Sequence, residues 1–122
     1  DVGILGAMSE LDVESILEGN DIFVEFKGAL TEQYVLQQII SDTSYTPYYY
    51  GTEKSTFEQD FLVQIGKNVV PIEVKAETNT KSQSLRSYCE KYKPEMAVRF
   101  STKKYIEQDW MTNIPLYAVC NL

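Results

Sequence analysis

The chain has 122 residues, 43% of them hydrophobic and 24% charged, proportions that suit one globular domain. Its net charge of −7 argues against a protein that coats nucleic acid indiscriminately, and no stretch is long and apolar enough to span a membrane. With no histidine and two widely spaced cysteines, Cys89 and Cys120, zinc sites built on histidine or on four cysteines are excluded.

The two cysteines read as buried free thiols, which fits a cytoplasmic setting. The charge is uneven along the chain. Residues 1–61 carry two basic and twelve acidic side chains, whereas residues 62–122 carry nine basic and six acidic ones. One face of an acidic fold can therefore still be locally basic.

Residues 1–21 read as a helical lead-in, with a short helix in "SELDVESILEGND" that Ser9 can cap and Gly19 can end. Residues 22–122 read as the core of the domain. From Ile22 to about Ser41 the pattern is helical, with Phe26, Ala29, Leu30, Val35, Leu36, Ile39 and Ile40 at three-and-four spacing. "TPYYYG" follows as a turn and a short tyrosine-rich strand. "FEQDFLVQI" and "NVVPIEVKA" are two strands around Gly66-Lys67, a two-residue hairpin loop with glycine first.

"TKSQSLRSYCEKYKP" is a second long helix, with Ser82 as its cap and Pro94 as its stop. "EMAVRFS" and "PLYAVCNL" close the chain as two strands, and the segment from Thr102 to Ile114 between them is ambiguous. Hairpin-linked strands followed by a strand–helix–strand crossover predict an α/β fold, a mixed central sheet flanked by helices.

Within "VPIEVKA", Val70, Ile72, Val74 and Ala76 form one apolar face, and Glu73 and Lys75 share the other with Pro71. The hairpin then decides what Glu73 meets. With Gly66-Lys67 as the loop, Asp60 falls opposite Glu73, and Glu58 falls opposite Lys75, with paired Cβ atoms roughly 4.5–5.5 Å apart. With Lys67-Asn68 as the loop, Asp60 faces Lys75 in an ordinary cross-strand salt bridge. Glycine in first position favours the former.

Two opposed carboxylates repel, and a divalent cation turns that liability into a site, because Mg²⁺ is commonly held by one or two carboxylates, waters and phosphate oxygens. Glu32 is a third misplaced acid. Its neighbours at helical spacing are Gly28, Ala29, Val35, Leu36 and Ile39, so it lies in the stripe that should bury against the sheet and needs a partner. The partner is a backbone N–H, a hydroxyl of Tyr48, Tyr49 or Tyr50, or the Asp60/Glu73 pair.

A helix acid followed by Asp60 and then Glu73-x-Lys75 across a hairpin resembles the PD-(D/E)xK, restriction-endonuclease-like, nuclease superfamily. More narrowly, "FKGALTEQYV", "EQDFLV" and "VPIEVKAETNTKSQSLRSYCEKYKPEMAVR" resemble the C-terminal domain of unknown function of bacterial and archaeal AAA-type ATPases. "DVGILGAMS" looks like the segment that leads into such a domain, and the Asp1 start fits a domain excised from a larger ATPase.

The resemblance implies that Asp60, Glu73 and the carbonyl of Val74 hold Mg²⁺ or Mn²⁺. It implies that Lys75 orients water or stabilises the transition state, and that Glu32 supports the site. Glu58 is then an outlying acid or a salt-bridge partner of Lys75, and Gln83 and Arg86 reach phosphate. Implied partners are DNA, the ATPase module of the same chain and a second copy in a homo-oligomer, with no membrane. The chain departs from the superfamily's pattern in that Asp60 follows Gln59 rather than proline.

A phosphodiesterase is thus expected. The alternative is a catalytically silent nuclease-fold module for protein interaction, oligomerisation or regulation, to which the acidic balance and the tyrosines point. A third reading is an unrelated small α/β domain in which "EVK" is incidental.

Overall fold

The computed structural model describes residues 1–9, 21–51, 58–76 and 81–122. In chain order these are helix α1 (Val2–Met8), helix α2 (Asp21–Asp42), strands β1 (Tyr48–Tyr50), β2 (Gln59–Ile65) and β3 (Asn68–Lys75), helix α3 (Gln83–Tyr92), strands β4 (Val98–Ser101), β5 (Ile106–Glu107) and β6 (Thr112–Pro115), and a final 3₁₀ helix (Leu116–Asn121). The helix expected within residues 9–21 falls almost wholly outside the described residues. The described part of the lead-in is α1, capped by Asp1, whose Oδ1 accepts from the Ile4 N–H at 2.9 Å. The Val2 N–H ties α1 to α2 by donating to Gln37 Oε1 at 2.9 Å.

The strands form one sheet in the order β1-β2-β3-β4-β6-β5. β1, β2 and β3 pair antiparallel, β3, β4 and β6 pair parallel, and β5 returns antiparallel on β6. The parallel step from β3 to β4 is made through α3, as a crossover connection requires. The fold is α/β, a mixed sheet flanked by helices, as the element order predicted.

Alternation along the strands sorts the side chains. Phe61, Val63, Val70, Ile72, Val74, Val98, Phe100 and Ile114 turn to one face and pack with Val35 and Ile39 of α2 and Val119 of the 3₁₀ helix. The opposite face belongs to α3, where Leu85 packs with Ala97 and Met111. Arg99, Asn113 and Glu73 have the parity of that second face and lie buried on it.

Three expectations are corrected. "PLYAVCNL" is not a strand: β6 ends at Pro115, and the next six residues wind into a 3₁₀ turn. Val119 and Leu116, three apart, face the core while Tyr117 is 82% exposed, the period of a 3₁₀ helix rather than of a strand. Ser82 occupies the cap position of α3, but its side chain makes no capping bond there; its hydroxyl oxygen accepts from Arg99 instead. The two cysteines are free, yet Cys89 is only half-buried and Cys120 is exposed.

Candidate active site

The β2–β3 turn sets the site. Gly66 has φ +62°, a left-handed conformation that glycine adopts without steric cost, and Ile65 pairs with Asn68. The ladder then runs through Val63↔Val70 to Phe61↔Ile72. One step further the same count sets Asp60 opposite Glu73, on the face away from the α2 core. This is the register with Gly66-Lys67 as the loop, and the slipped register that would have faced Asp60 with Lys75 is not adopted.

Asp60 is half-buried and fixed by a short hydrogen bond, its Oδ2 accepting from the Val74 N–H at 2.6 Å. Burial pushes its carboxyl above the usual aspartate range. The nearby Glu73 and Glu58 carboxylates push the same way, while the Val74 N–H and the Lys75 ammonium pull it back.

Glu73 is 5% exposed. Its Oε1 lies 2.9 Å from Lys75 Nζ, and its Oε2 is buried with no hydrogen-bond partner among the described residues. The parallel register places Arg99 of β4 beside it, and the Glu73 charge favours the guanidinium form that burial opposes.

Glu32, on α2, lies within electrostatic range of Asp60 and Lys75. Its pKa is raised, first by burial and then by Asp60, with Lys75 acting in the other direction. Of the partners the sequence allowed for Glu32, the acid cluster is therefore electrostatically present. Glu58 is exposed and lies just before β2, outside the paired strands. The ion pair found for Lys75 is with Glu73 and not with Glu58.

Sequence reasoning missed Arg99 and Asn113. Arg99 donates from Nε to Asn113 Oδ1 at 2.8 Å and from a terminal nitrogen to Ser82 Oγ at 3.2 Å. Asn113 Oδ1 also accepts from the Ser101 hydroxyl, and Asn113 Nδ2 donates to the Lys104 carbonyl at 2.9 Å. A polar row, Asp60–Glu73–Arg99–Asn113, thus crosses β2, β3, β4 and β6 under α3. A signal for it existed: in "AVRF" an arginine sits between two core residues, at the parity that would meet Glu73.

Gln83 and Arg86, expected near phosphate, are exposed on the first turn and a half of α3. They do not join the acids directly. They line a cavity whose floor is Arg99.

Glu73 Oε1 goes to the Lys75 ammonium, and its Oε2 and the Asp60 carboxylate are the oxygens that could hold a hard cation. Among the described residues no three side chains of the Asp, Glu, Cys and His type converge tightly enough to enclose a metal. The protein would supply two carboxylates, with water, backbone and substrate oxygens completing the shell, which is the habit of Mg²⁺.

Residues 27–119 match the family described as a domain of unknown function, DUF4143, and the chain belongs to that family. The matched span holds Glu32, Asp60, Glu73, Lys75 and Arg99. No curated protein matches the chain, and no solved structure does. Among the described residues no helix is long and apolar enough to cross a membrane.

Proposed function

We propose that the domain hydrolyses phosphodiester bonds of DNA in a Mg²⁺- or Mn²⁺-dependent reaction, on a restriction-endonuclease-like scaffold. The observation that carries this reading is the buried Glu73 Oε2, without a hydrogen-bond partner among the described residues, opposed by Asp60 and flanked by Lys75. An acceptor-only atom left alone in the interior costs stability, and a bound cation removes that cost. When bound, the ion would supply positive charge to the phosphate as negative charge builds on it.

The chain's own residues do the rest. Asp60, held against β3 by the Val74 N–H, presents its second oxygen at a fixed place. Lys75 orients the attacking water and faces the developing anion. The water oxygen bonds to phosphorus as the bond to the departing strand's oxygen breaks. Glu32, whose affinity for protons is raised, accepts the proton the water loses, and solvent protonates the departing oxygen. In a full-length protein an AAA-type ATPase module would drive or gate this chemistry.

The test is cleavage of single- and double-stranded DNA in millimolar Mn²⁺. Wild type should cut, and Glu73→Gln and Lys75→Ala should each lose at least about a hundredfold in rate. Failure of the wild type to cut any DNA or RNA under these conditions would overturn the reading.

A second reading, a catalytically silent module for protein contact, oligomerisation or regulation of the ATPase, is favoured by the exposed rings of Tyr48 and Tyr49, 60% and 70% accessible beside the acidic half of the chain. It predicts that Glu73→Gln and Lys75→Ala leave the cellular phenotype of the full-length protein intact.

A further inference from the structure

A cavity of about 510 Å³ opens at the N-terminal end of α3, between that helix and the loops around β5. Among the described residues its charged lining is basic: Lys81, Arg86, Arg99 and Lys103. Four of the chain's eleven basic side chains thus border one hollow, in a protein with eighteen acids. Acids stand beside it as well: Glu107 and Asp109 flank the lining residue Gln108 in sequence. Glu90 pairs with Arg86 at 3.4 Å on the outer side of the helix, and Glu73 lies behind Arg99 in the sheet.

The cavity is built rather than incidental. Arg99 is 5% exposed and pinned by Asn113 and Ser82, so its charge is held in position beneath the opening. Lys103 is held through its backbone, its N–H donating to Ser101 Oγ at 3.1 Å and its carbonyl accepting from Asn113 Nδ2. Ser82 turns its oxygen to Arg99 instead of the helix amides, so the uncapped first turn of α3, with its positive dipole end, also borders the cavity.

We infer that this cavity seats a backbone phosphate of the nucleic-acid strand whose neighbouring linkage lies at the Asp60/Glu73/Lys75 cluster. Arg99 joins the two places, touching the cavity on one side and the Glu73 strand position on the other. The choice of a strand over a free phosphate rests on the cleavage reading above. The preference for an anion rests on the cavity alone.

Trp110, the chain's only tryptophan, lines the cavity with the Arg86 guanidinium 5.9 Å from its ring centre, and it reports occupancy. The experiment follows Trp110 fluorescence while the metal-free protein is titrated with a short single-stranded oligodeoxynucleotide and, separately, with inorganic phosphate. The oligonucleotide should give a saturable change. Lys81→Gln and Lys103→Gln should each weaken it by roughly five- to tenfold and flatten the salt dependence by about one unit of log–log slope, a readout that mere loss of fold would not give. Lys67→Gln, on the β2–β3 turn, should bind as wild type does.

Unchanged binding in the Lys81 and Lys103 variants would overturn the inference, as would a response to inorganic phosphate with none to the oligonucleotide. The two proposals fail separately: DNA cutting that survives both lysine substitutions without loss of affinity removes the phosphate seat alone, and charge-dependent binding by a protein that never cuts removes the cleavage alone.

Discussion

Glu73 explains why a carboxylate stands in an apolar strand: Lys75 holds one oxygen, Arg99 adjoins from β4, and Asp60 faces it from β2. Removing the Arg99 guanidinium takes one positive neighbour from the buried Glu73 and strips Asn113 and Ser82 of a hydrogen-bond donor. Arg99→Leu should therefore destabilise the fold by about 3 kcal/mol in urea denaturation, and adding Glu73→Gln should recover part of that loss.

Asp60 acts in the opposite direction. Its folded pKa is raised above the unfolded value of about 3.9, so the folded state binds the proton more tightly. Between those two values stability falls as pH rises, and the penalty is fully present at neutral pH. Asp60→Asn, which keeps an oxygen for the Val74 N–H, should stabilise the protein at pH 7 by about 0.5–1 kcal/mol, with the gain vanishing below about pH 3.9. A thermal melt series across pH reads both the sign and the window. The acids of this site were legible because alternation exposes a misplaced charge. Arg99 was harder, because its strand and that of Glu73 are brought side by side only by the α3 crossover.

The β2–β3 hairpin was readable to the residue because one glycine fixes its turn. No heavy atom lies within 4 Å of where a Gly66 Cβ would sit, so Gly66→Ala meets no clash and isolates the backbone term. It should destabilise by about 1 kcal/mol, measured by chemical denaturation. Helix α3 ends with Lys93 at φ +48°, a left-handed conformation in a side-chain-bearing residue. Lys93→Gly should accordingly stabilise by about 1 kcal/mol.

The C-terminal element was misread for a physical reason. Leu116, Tyr117, Ala118 and Val119 are four apolar residues in a row, a pattern that does not separate a period of two from a period of three. Pro115 at the strand end and the burial of Val119 decide it only once the sheet is in place. The two-residue β5 is shorter than any periodicity can register.

For the molecule as a whole, a charge of −7 hides a basic cavity set in the second half of the chain, where the balance is +3. Composition argued against indiscriminate coating of nucleic acid while leaving room for one basic face, and the folded arrangement gathers four cations at one mouth. Binding of a single-stranded oligonucleotide there should weaken about twentyfold between about 50 and 200 mM salt, the loss expected when some three phosphates are neutralised. A salt titration that shows no such fall would place the contact elsewhere.

The order of elements was enough to predict a mixed α/β sheet, because hairpins and crossovers impose antiparallel and parallel pairing in turn. The most direct test of the account is a calorimetric titration of Mn²⁺ into the wild-type chain and into Asp60→Asn and Glu73→Gln. Saturable binding of a single ion at or below millimolar concentration, lost in both variants, is the predicted result. Heat that is absent in the wild type, or unchanged when either carboxylate is removed, would contradict it.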